Sequence, residues 1–382
     1  MARELSARIV DVADLSAAQI ALWKEIASDD PLYLSPFFQP AFAQAVARVA
    51  PDTAVAVLRC AGADVGFFPF QRRGETIQPI GAPLNDYHGV IARAEHRLSL
   101  ELIPELIGVG SLAVTGWVGE PGGVRAIEHQ SVAVAMSGGW DAYQVVQRQA
   151  WRKFFGDKDR ARRSLSRDRG EITLHFEQAS SGSLDRLIEL KRQQYRRSGR
   201  HDVFACGWTV DLLRSLLDWN EDGFGGTLAV LSAGGEPVAY EYGLYAGQHY
   251  HFWFPAYELT AARYSPGTLL SLDTMREKSK AGVSTFDFGN AGEPYKKYFC
   301  NHTGRIFEGA ASRPDMKGAL RSAVLMTRLG QSVHRRWKTI AGCETSLVGL
   351  VAGLATAARS MATSGAAAGP EPATIPMSNR GG

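Results

Sequence analysis

The sequence contains few cysteines, and those it has are widely separated. Only four occur in 382 residues, namely Cys60, Cys206, Cys300 and Cys343. No two of them have the spacing that is typical of metal ligands, and the number is too small for a disulfide framework of the kind found in small secreted domains. We therefore predict no bound metal and a reducing, cytoplasmic environment.

Long apolar runs and an excess of one charge are also absent. The first residues lack the apolar core of a signal peptide, and the uncharged run at 345–357 is shorter than the roughly 20 residues of a membrane span. Lysine and arginine total 42 against 39 acidic residues, a formal net charge of +3. Bulk charge therefore gives no reason to expect nucleic acid as a partner.

The composition is ordinary for a globular protein, with 45% apolar and 21% charged residues, and the chain is long enough for two domains. Residues 56–67 and 229–240 share Ala, Val, Leu, Gly and Val at the same relative positions, and both predict a strand, a turn and a strand. Two helical segments precede each unit. They are 16–27 and 36–49 in the first case, and 182–197 and 209–220 in the second. We predict an α/β protein built from two related halves, each a mixed sheet flanked by helices.

We divide the chain into three parts. Residues 1–140 form a half that we assign to acceptor binding or scaffolding, because its loop at 81–89 has no capped helix; its Asp86 and His88 are interpreted as part of an ordinary polar loop. Residues 141–310 form the second half. Residues 311–382 are interpreted as a helical extension followed by a disordered tail rich in Ala, Gly, Pro and Ser.

The most informative stretch lies in the second half, at residues 240–298. Two aromatic-rich runs around the turn Ala246-Gly247-Gln248 predict a hairpin. Its second strand should end or splay at Pro255, which has no N–H for the ladder. A later strand at 284–288 should lie parallel and next to it, because a helical crossover of this length normally returns the chain to the same sheet.

The helix between these strands has a well-marked start and end. Ser265 is a preferred N-cap, Pro266 suits the first helical position, and Gly282 marks the end. A helix start presents unpaired N–H groups and the positive end of the macrodipole, so it can hold a phosphate group. Gly267 would let an anion approach the backbone, and Arg263 adds a formal charge.

Two motifs in this stretch resemble a known family. The ArgTyrSerProGlyThr run at 263–268 stands where the GNAT acyltransferases carry Gln/Arg-x-x-Gly-x-Gly/Ala, with one extra residue before the glycine. The AspPheGly…GluProTyrLys run at 287–296 resembles the CelD-like branch, whose members accompany cellulose and exopolysaccharide synthesis. That branch is similar in turn to the Fem-type peptidyltransferases. The resemblance covers roughly residues 140–307.

The resemblance implies that the second half binds acetyl-CoA or another acyl-CoA as co-substrate, with no metal. The helix start would hold the pyrophosphate, and the splayed strand would present backbone N–H groups to the thioester carbonyl. The residues implied in cofactor binding are Arg263, Ser265, Gly267, Thr268 and Phe254.

Acyl transfer from a thioester also needs a base for the acceptor and a proton for the leaving thiolate. Asp287 and Glu241 are the first candidates for the base; if their aromatic neighbours face the core, both face solvent or the cleft between the halves. His251 is interpreted as a structural strand histidine. No nucleophile with an adjacent base is visible, so we expect direct transfer without an acyl-enzyme. The full candidate set is Asp287, Glu241, Glu293, Tyr295 and Lys296.

A basic segment at residues 148–169 lies between the halves. It is interpreted first as a solvated helix face and, alternatively, as a contact for an anionic partner or the inner membrane surface. Together these features predict an acyltransferase that moves an acyl group from acyl-CoA to an amine or hydroxyl acceptor, such as a polysaccharide precursor. The alternatives are a Fem-type transferase that uses aminoacyl-tRNA, and a non-catalytic component of a polysaccharide synthesis machine.

Overall fold

In its described residues, the first half of the chain contains seven strands, two long α-helices and one short α-helix. The structure is a computed structural model that describes residues 5–73, 76–178, 182–219, 223–313, 340, 342–344, 351 and 353–354. The elements of this half are β1 (Leu5–Asp11), α1 (Ala17–Asp29), α2 (Pro40–Val49), β2 (Thr53–Cys60), β3 (Ala63–Arg73), β4 (Thr76–Pro79), β5 (Ile91–Ala92), α3 (Ile103–Leu106), β6 (Ser111–Trp117) and β7 (Ile127–Ala135).

The second half begins with two helices and then repeats the same order of elements. Its elements are α4 (Gly139–Ala150), α5 (Arg152–Arg169), β8 (Ile172–Glu177), α6 (Ser183–Ser198), α7 (Gly207–Leu217), β9 (Phe224–Ala233), β10 (Glu236–Ala246), β11 (His249–Tyr257), α8 (Pro266–Lys280), β12 (Thr285–Asn290) and β13 (His302–Ser312).

The strands form one continuous sheet that is symmetric about its middle. Among the described residues the order is β1-β2-β3-β4-β6-β13-β7-β12-β11-β10-β9-β8, with β5 paired to β3 at its side. In each half four antiparallel strands lead to one parallel pair, β4 with β6 and β11 with β12. The last strand of each half then pairs with the other half, β7 beside β12 and β13 beside β6. The predicted two-half α/β fold is confirmed, and the joining of both halves into one sheet is a feature that the sequence did not reveal.

The repeated hairpins agree in detail. Cys60 pairs with Ala63 in the first hairpin, and Ala233 pairs with Glu236 at the corresponding positions of the second. The register shifts at the same place in both, because Val65 and the matching Val238 each stand as an extra residue in the ladder. A bulge at the same position of both repeats supports an internal duplication of the chain.

Both faces of the sheet are covered, which decides where side chains of the central strands are buried. Leu228 of β9 belongs to the largest core, formed with α1, α2, α6 and α7. Its neighbour Ala229 points the other way and packs with Leu165 of α5 and Leu269 of α8. Alternate residues of these strands are therefore buried on opposite faces, and a polar side chain on either face is removed from water.

The two parallel pairs differ in what lies beyond them. β4 and β6 pair only at Thr76–Ser111 and Ile77–Leu112. Further along β6, the chain's own loop takes the empty place, since His88 bridges Trp117 and its N–H donates to the Gly116 carbonyl at 3.0 Å. The gap of the first half is thus filled from within.

The helix that should border this gap is also reduced. In the second half α8 spans 15 residues, but α3 in the equivalent place has only four. Within the described residues, the first half therefore has no long helix start at this place, the feature that can hold a phosphate.

The predicted boundaries at 140 and 310 stay predictions. The first falls inside the first turn of α4, and the second falls inside β13. The predicted helix and tail beyond 310 lie almost wholly outside the described residues. None of the helices in the described part of the chain has the length and apolar character that a membrane crossing requires.

A Gly116→Ala substitution tests whether loop 86–88 fills the first gap. A Cβ at this position would lie 1.9 Å from the carbonyl oxygen of Asp86, and a backbone atom cannot move away cheaply. We expect a loss of about 2 kcal/mol or more in the free energy of unfolding, measured by urea denaturation. Gly156→Ala is the control, because nothing lies within 4 Å of a Cβ there and alanine favours the helix. An unchanged urea midpoint for Gly116→Ala would contradict this arrangement.

Candidate active site

The parallel strands β11 and β12 separate soon after they begin. They pair only at His249–Thr285, Tyr250–Phe286 and His251–Asp287. β11 does not end at Pro255, as one reading of the sequence expected, but continues along β10 to Tyr257. A bulge at Trp253 accompanies the separation, since Phe252 and Phe254 pair with consecutive residues of β10. The strands therefore separate on the β12 side after His251 and not at Pro255, and the predicted parallel pairing is confirmed.

The start of α8 lies at the same edge as the separated strand ends. Pro266 occupies the first turn as predicted, but Ser265 is not a side-chain cap. Its backbone is left-handed, with φ of 51°, and its hydroxyl instead accepts a hydrogen bond from Lys158 Nζ at 2.9 Å. A Cβ on Gly267 would meet only Tyr257 Cδ1, at 3.7 Å, so the protein itself does not crowd this backbone. Thr268 follows in the same turn and is half-buried.

The basic segment predicted between the halves is largely α5, which runs beside α8. Arg162 forms an ion pair with Asp273 of α8 at 2.7 Å, and Arg148 pairs with Asp159 at 2.8 Å. Lys158 is half-buried, and burial lowers its pKa. Several of these cations are therefore paired within the protein, while Lys158 is directed at the start of α8.

The other two predicted cofactor residues have different surroundings. Arg263 pairs with Asp168 at 3.3 Å, and its side chain is 73% exposed. Asp168 is ten residues beyond Lys158, or about 15 Å along α5, so this guanidinium is not held at the helix start. The ring of Phe254 is buried against Phe204, with 5.1 Å between ring centroids, so only its backbone can face a ligand.

A buried polar chain connects the two halves where β11 and β12 separate. Asp287 accepts hydrogen bonds from the Tyr87 hydroxyl at 2.8 Å and from the Gly289 N–H at 2.7 Å. Its Oδ2 lies 3.6 Å from His251 Nδ1, and His251 Nε2 lies 2.8 Å from Asp86 Oδ2. His251 is fully buried, whereas the Asp86 side chain is 44% exposed. Asp86 is therefore the end of this buried polar chain that solvent or a substrate can reach.

The electrostatics of this chain favour a protonated histidine. Burial disfavours the charged ring, but Asp287 and Asp86 outweigh it and raise the pKa of His251 to about 9. Burial likewise disfavours an ionised Asp287, yet His251 and His249 hold the pKa of this carboxyl well below its usual value. Burial, reinforced by Asp287, raises the pKa of Tyr87. At neutral pH His251 is thus an imidazolium beside the Asp287 carboxylate, with Asp86 at its other ring nitrogen.

Glu241 lies on the opposite face of the sheet from Asp287. Its carboxyl group is only 1% exposed and accepts hydrogen bonds from Ser271 of α8 at 3.0 Å and from Tyr250 at 3.3 Å. Burial raises the pKa of Glu241 to about 8. The expectation that this side chain faces solvent or the cleft between the halves is wrong, because α8 covers that face of the sheet. Asp287 does face the other half, but it too is buried.

The loop after β12 places the remaining candidates. Lys296 is buried and donates to the carbonyls of Phe288 and Asn290, both at 2.6 Å, while Glu293 pairs with it at 2.5 Å from an exposed position. Lys296 therefore fixes the loop. Tyr295 is half-buried, and burial raises the pKa of its phenol, which keeps it protonated.

A separate cavity of about 420 Å³ lies between the halves at the other end of this strand pair. His249 and Thr285 at the starts of β11 and β12 line it, together with Gln39 and Gln44 from the first half. His249 Nε2 is 3.6 Å from Asp287 Oδ2, so the buried polar chain reaches this cavity as well.

Sequence reasoning missed most of the buried polar chain. Asp86 appeared only as part of an ordinary polar loop, and His251 as a structural histidine. Tyr87 carried no signal at all, because its partner Asp287 is 200 positions away. The one usable hint was a polar pair, Asp86 and His88, in the loop equivalent to the cofactor turn; His88 proves to accept from the Thr115 and Gly116 N–H groups of β6.

Comparison with known proteins agrees with the fold of the second half. A family model described as an acetyltransferase (GNAT) domain matches residues 152–297, from α5 to the loop after β12. The match covers less than half of the chain, and it includes the start of α8 and Asp287. No curated protein matches the sequence.

Three solved structures resemble the chain over most of its length. A DUF2156 domain described as part of a lysylphosphatidylglycerol synthetase from Agrobacterium fabrum is 13% identical to this chain, with a TM-score of 0.48. The alignment covers 81% of this chain and 97% of that domain. A tandem GNAT protein of the clavulanic acid pathway is 11% identical, with coverage of 82% and 100% and a TM-score of 0.46. FemX is 10% identical, with 79% and 96% covered and a TM-score of 0.48. At these values the similarities carry no argument about substrate.

A Glu241→Gln substitution tests the buried carboxyl under α8. Its folded pKa of about 8 lies above the ordinary 4.5, so its contribution to stability is complete below pH 4.5 and is lost as pH rises through 8. Glutamine cannot ionise. We expect the melting temperature of the variant to match wild type at pH 5 and to exceed it by roughly 2 °C or more at pH 9.

Glu105→Gln, at an exposed position, is the matched control and should show no such pH-dependent gain. If Glu241→Gln abolishes turnover and leaves the pH dependence of melting unchanged, Glu241 is a base and not a structural acid.

Proposed function

We propose that the protein is an acyl-CoA-dependent acyltransferase that works where β11 and β12 separate. The observation that carries the proposal is the contrast between the two gaps. In the described residues no strand pairs with β11 on the β12 side beyond His251, and α8 begins at that edge. The matching gap in the first half is filled by its own loop and has no such helix. Ligands of open α/β sheets bind at such carboxyl ends of strands.

The pyrophosphate of acyl-CoA would bind at the start of α8. Unpaired backbone N–H groups of the first turn, at Gly267 and Thr268, would face it, and the uncrowded glycine permits close approach. Lys158 next to the Ser265 hydroxyl would add a positive charge. Arg263 would contribute only a more distant charge. The acyl-pantetheine arm would then follow the gap, with the backbone at Phe254 and the Trp253 bulge polarising the thioester carbonyl.

In the proposed reaction the acceptor attacks the thioester carbonyl carbon directly, and the carbon–sulfur bond breaks. Asp86, the exposed end of the polar chain, takes the proton of the acceptor amine or hydroxyl. His251 holds Asp86 in place through the 2.8 Å contact, and Asp287 holds His251. The Tyr295 phenol gives its proton to the leaving thiolate and is reprotonated from solvent, and Asp86 releases the acceptor's proton to solvent.

The acceptor would be bound mainly by the first half, which supplies Asp86 and Tyr87. The resemblance of residues 287–296 to the CelD-like branch favours a saccharide or polysaccharide precursor as acceptor. The acyl transfer would take place in the cytoplasm. The basic α5 would allow the protein to lie against an anionic membrane surface.

Gly267→Val tests the cofactor site. The added branches would occupy the space through which the pyrophosphate approaches the backbone, so we expect the dissociation constant for acyl-CoA, measured by calorimetry, to rise at least about tenfold, which corresponds to 1.4 kcal/mol. Gly207→Val, at the first position of α7 with nothing within 4 Å of its Cβ, is the control. Equal affinity of wild type and Gly267→Val would refute the assignment.

Asp86→Asn and Asp287→Asn separate the base from the group that positions it. We expect Asp86→Asn to reduce kcat by about 10²–10⁴-fold with acyl-CoA affinity and melting temperature nearly unchanged, because this side chain is partly exposed. Asp287→Asn leaves the buried His251 short of a counter-ion, so it should lower the melting temperature and the pKa of His251. The assignment would be reversed by two results together: Asp86→Asn keeps full turnover, and Asp287→Asn loses turnover while its stability stays that of wild type. Asp287 would then be the base.

A further inference from the structure

Two cysteines that the sequence leaves far apart meet in the structure. Cys206 lies in the connection between α6 and α7, and Cys343 comes from the end of the described chain. His201, five residues before Cys206, joins them. The donor atoms of these three residues all lie within 4.8 Å of one another. The spacing of cysteines in the sequence predicted no metal site, because this approach depends on the fold.

A fourth donor lies beside two of these three residues. Glu344 Oε1 lies 3.5 Å from His201 Nε2 and 3.4 Å from Cys206 Sγ. A tetrahedral zinc ion with bonds of about 2.0–2.3 Å holds its ligand atoms roughly 3.3–3.8 Å apart. The two Glu344 distances lie within this range, whereas the spread of up to 4.8 Å among the His and Cys donor atoms must contract when an ion binds.

The burial of the cluster points to an inward-facing site. Cys343 is fully buried, Cys206 is 6% exposed, and the side chains of His201 and Glu344 are only 11% and 13% exposed. His201 Nε2 is inaccessible to solvent and has no hydrogen bond of normal geometry among the described residues. A buried ring nitrogen normally has a hydrogen-bond partner. Because His201 Nε2 lies near two thiols and a carboxylate, it is well placed to bind a metal ion together with them.

The surroundings would hold these ligands in place. Trp208 Nε1 donates to the Cys343 carbonyl at 2.8 Å, and the Glu344 N–H donates to the Ile340 carbonyl at 2.8 Å. Such bonds fix the backbone from which the ligands project, and outer contacts of this kind are a regular part of metal sites.

We propose that His201, Cys206, Cys343 and Glu344 bind one structural zinc ion. Two thiolates, one imidazole and one carboxylate suit zinc, and four protein ligands leave no open position for catalysis. Binding displaces the two thiol protons, which at present are donated to Glu344 and to the Val203 carbonyl. The ion would fasten residues 340–344 to the α6–α7 connection, whose Phe204 packs on Phe254 of β11.

The test uses the full-length protein, purified without chelator and with any affinity tag removed. Elemental analysis should find about one zinc per chain in wild type, and replacement by cobalt(II) should give a sulfur-to-cobalt charge-transfer band in the near ultraviolet. Cys206→Ser and Cys343→Ser should lose the zinc and the band. Cys60→Ser, a buried cysteine of β2 outside the cluster, should keep both.

A strong chelator should lower the melting temperature of wild type and of Cys60→Ser, but not that of variants already without metal. If a serine variant fails to fold, Glu344→Gln and the cobalt spectrum of wild type still decide, because the glutamine is a weaker ligand and should reduce zinc retention. Wild type that binds neither zinc nor cobalt would overturn the proposal. So would full metal content in both serine variants, or a Cys206–Cys343 disulfide in place of the free thiols.

Discussion

The pairing of β7 with β13 is the constraint on which the rest of the structure depends. Seven residue pairs join these strands, from His302–Ala133 to Glu308–Ile127. Each strand is the last of its half, and each completes the sheet of the other half. Neither half can therefore close its sheet alone, and the two cannot move apart without breaking backbone hydrogen bonds. This fixed relation places the 84–88 loop of the first half against β11, where Leu84 accepts from Trp253 Nε1 at 2.7 Å.

A fixed contact between the halves makes a buried charge cluster possible. Removing His251 and Asp287 from water is costly, and the attraction between the two offsets that cost only if the ring and the Asp287 carboxylate stay in register. Tyr87 and Asp86 come from one half, and His251 and Asp287 from the other, so this register depends on the central pairing. The charges in turn disfavour any other alignment of the halves, because a misplaced half would leave one of them buried without a partner. We regard this as the reason that the exposed end of the chain, Asp86, can be held accurately at the candidate site.

The two halves are unequal versions of one arrangement of elements. Both copies keep the bulged hairpin and the short parallel pair, but α3 has four residues where α8 has 15. A helix of one turn cannot offer a phosphate site, and the first gap has been closed by the chain segment around His88. The same loop of the first half brings Asp86 and Tyr87 into contact with His251 and Asp287 of the second.

The sequence by itself determined the local features of this protein. Patterns that act within a few residues specify the repeat at 56–67 and 229–240, the hairpin at Gly247, the helix Pro266–Lys280 and the parallel return of β12. The sequence also singled out Asp287, because its motif is contiguous. Even so, local reasoning turned Glu241 toward solvent or the cleft between the halves, since one strand gives no sign that its second face is covered by a helix.

Only the tertiary structure decided which polar groups meet. Asp86 reaches His251 across 165 positions, and Cys206 reaches Glu344 across 138. Ser265, a good cap on its own, instead bonds to Lys158 of another helix. In each case the chosen partner is distant in the chain, and its approach depends on strand order and on the exchange of β7 and β13. Short-range patterns specify the helices and strands because side-chain periodicity and turn chemistry are local. The candidate site is assembled by packing between residues that are far apart in the sequence, so local patterns do not reveal it.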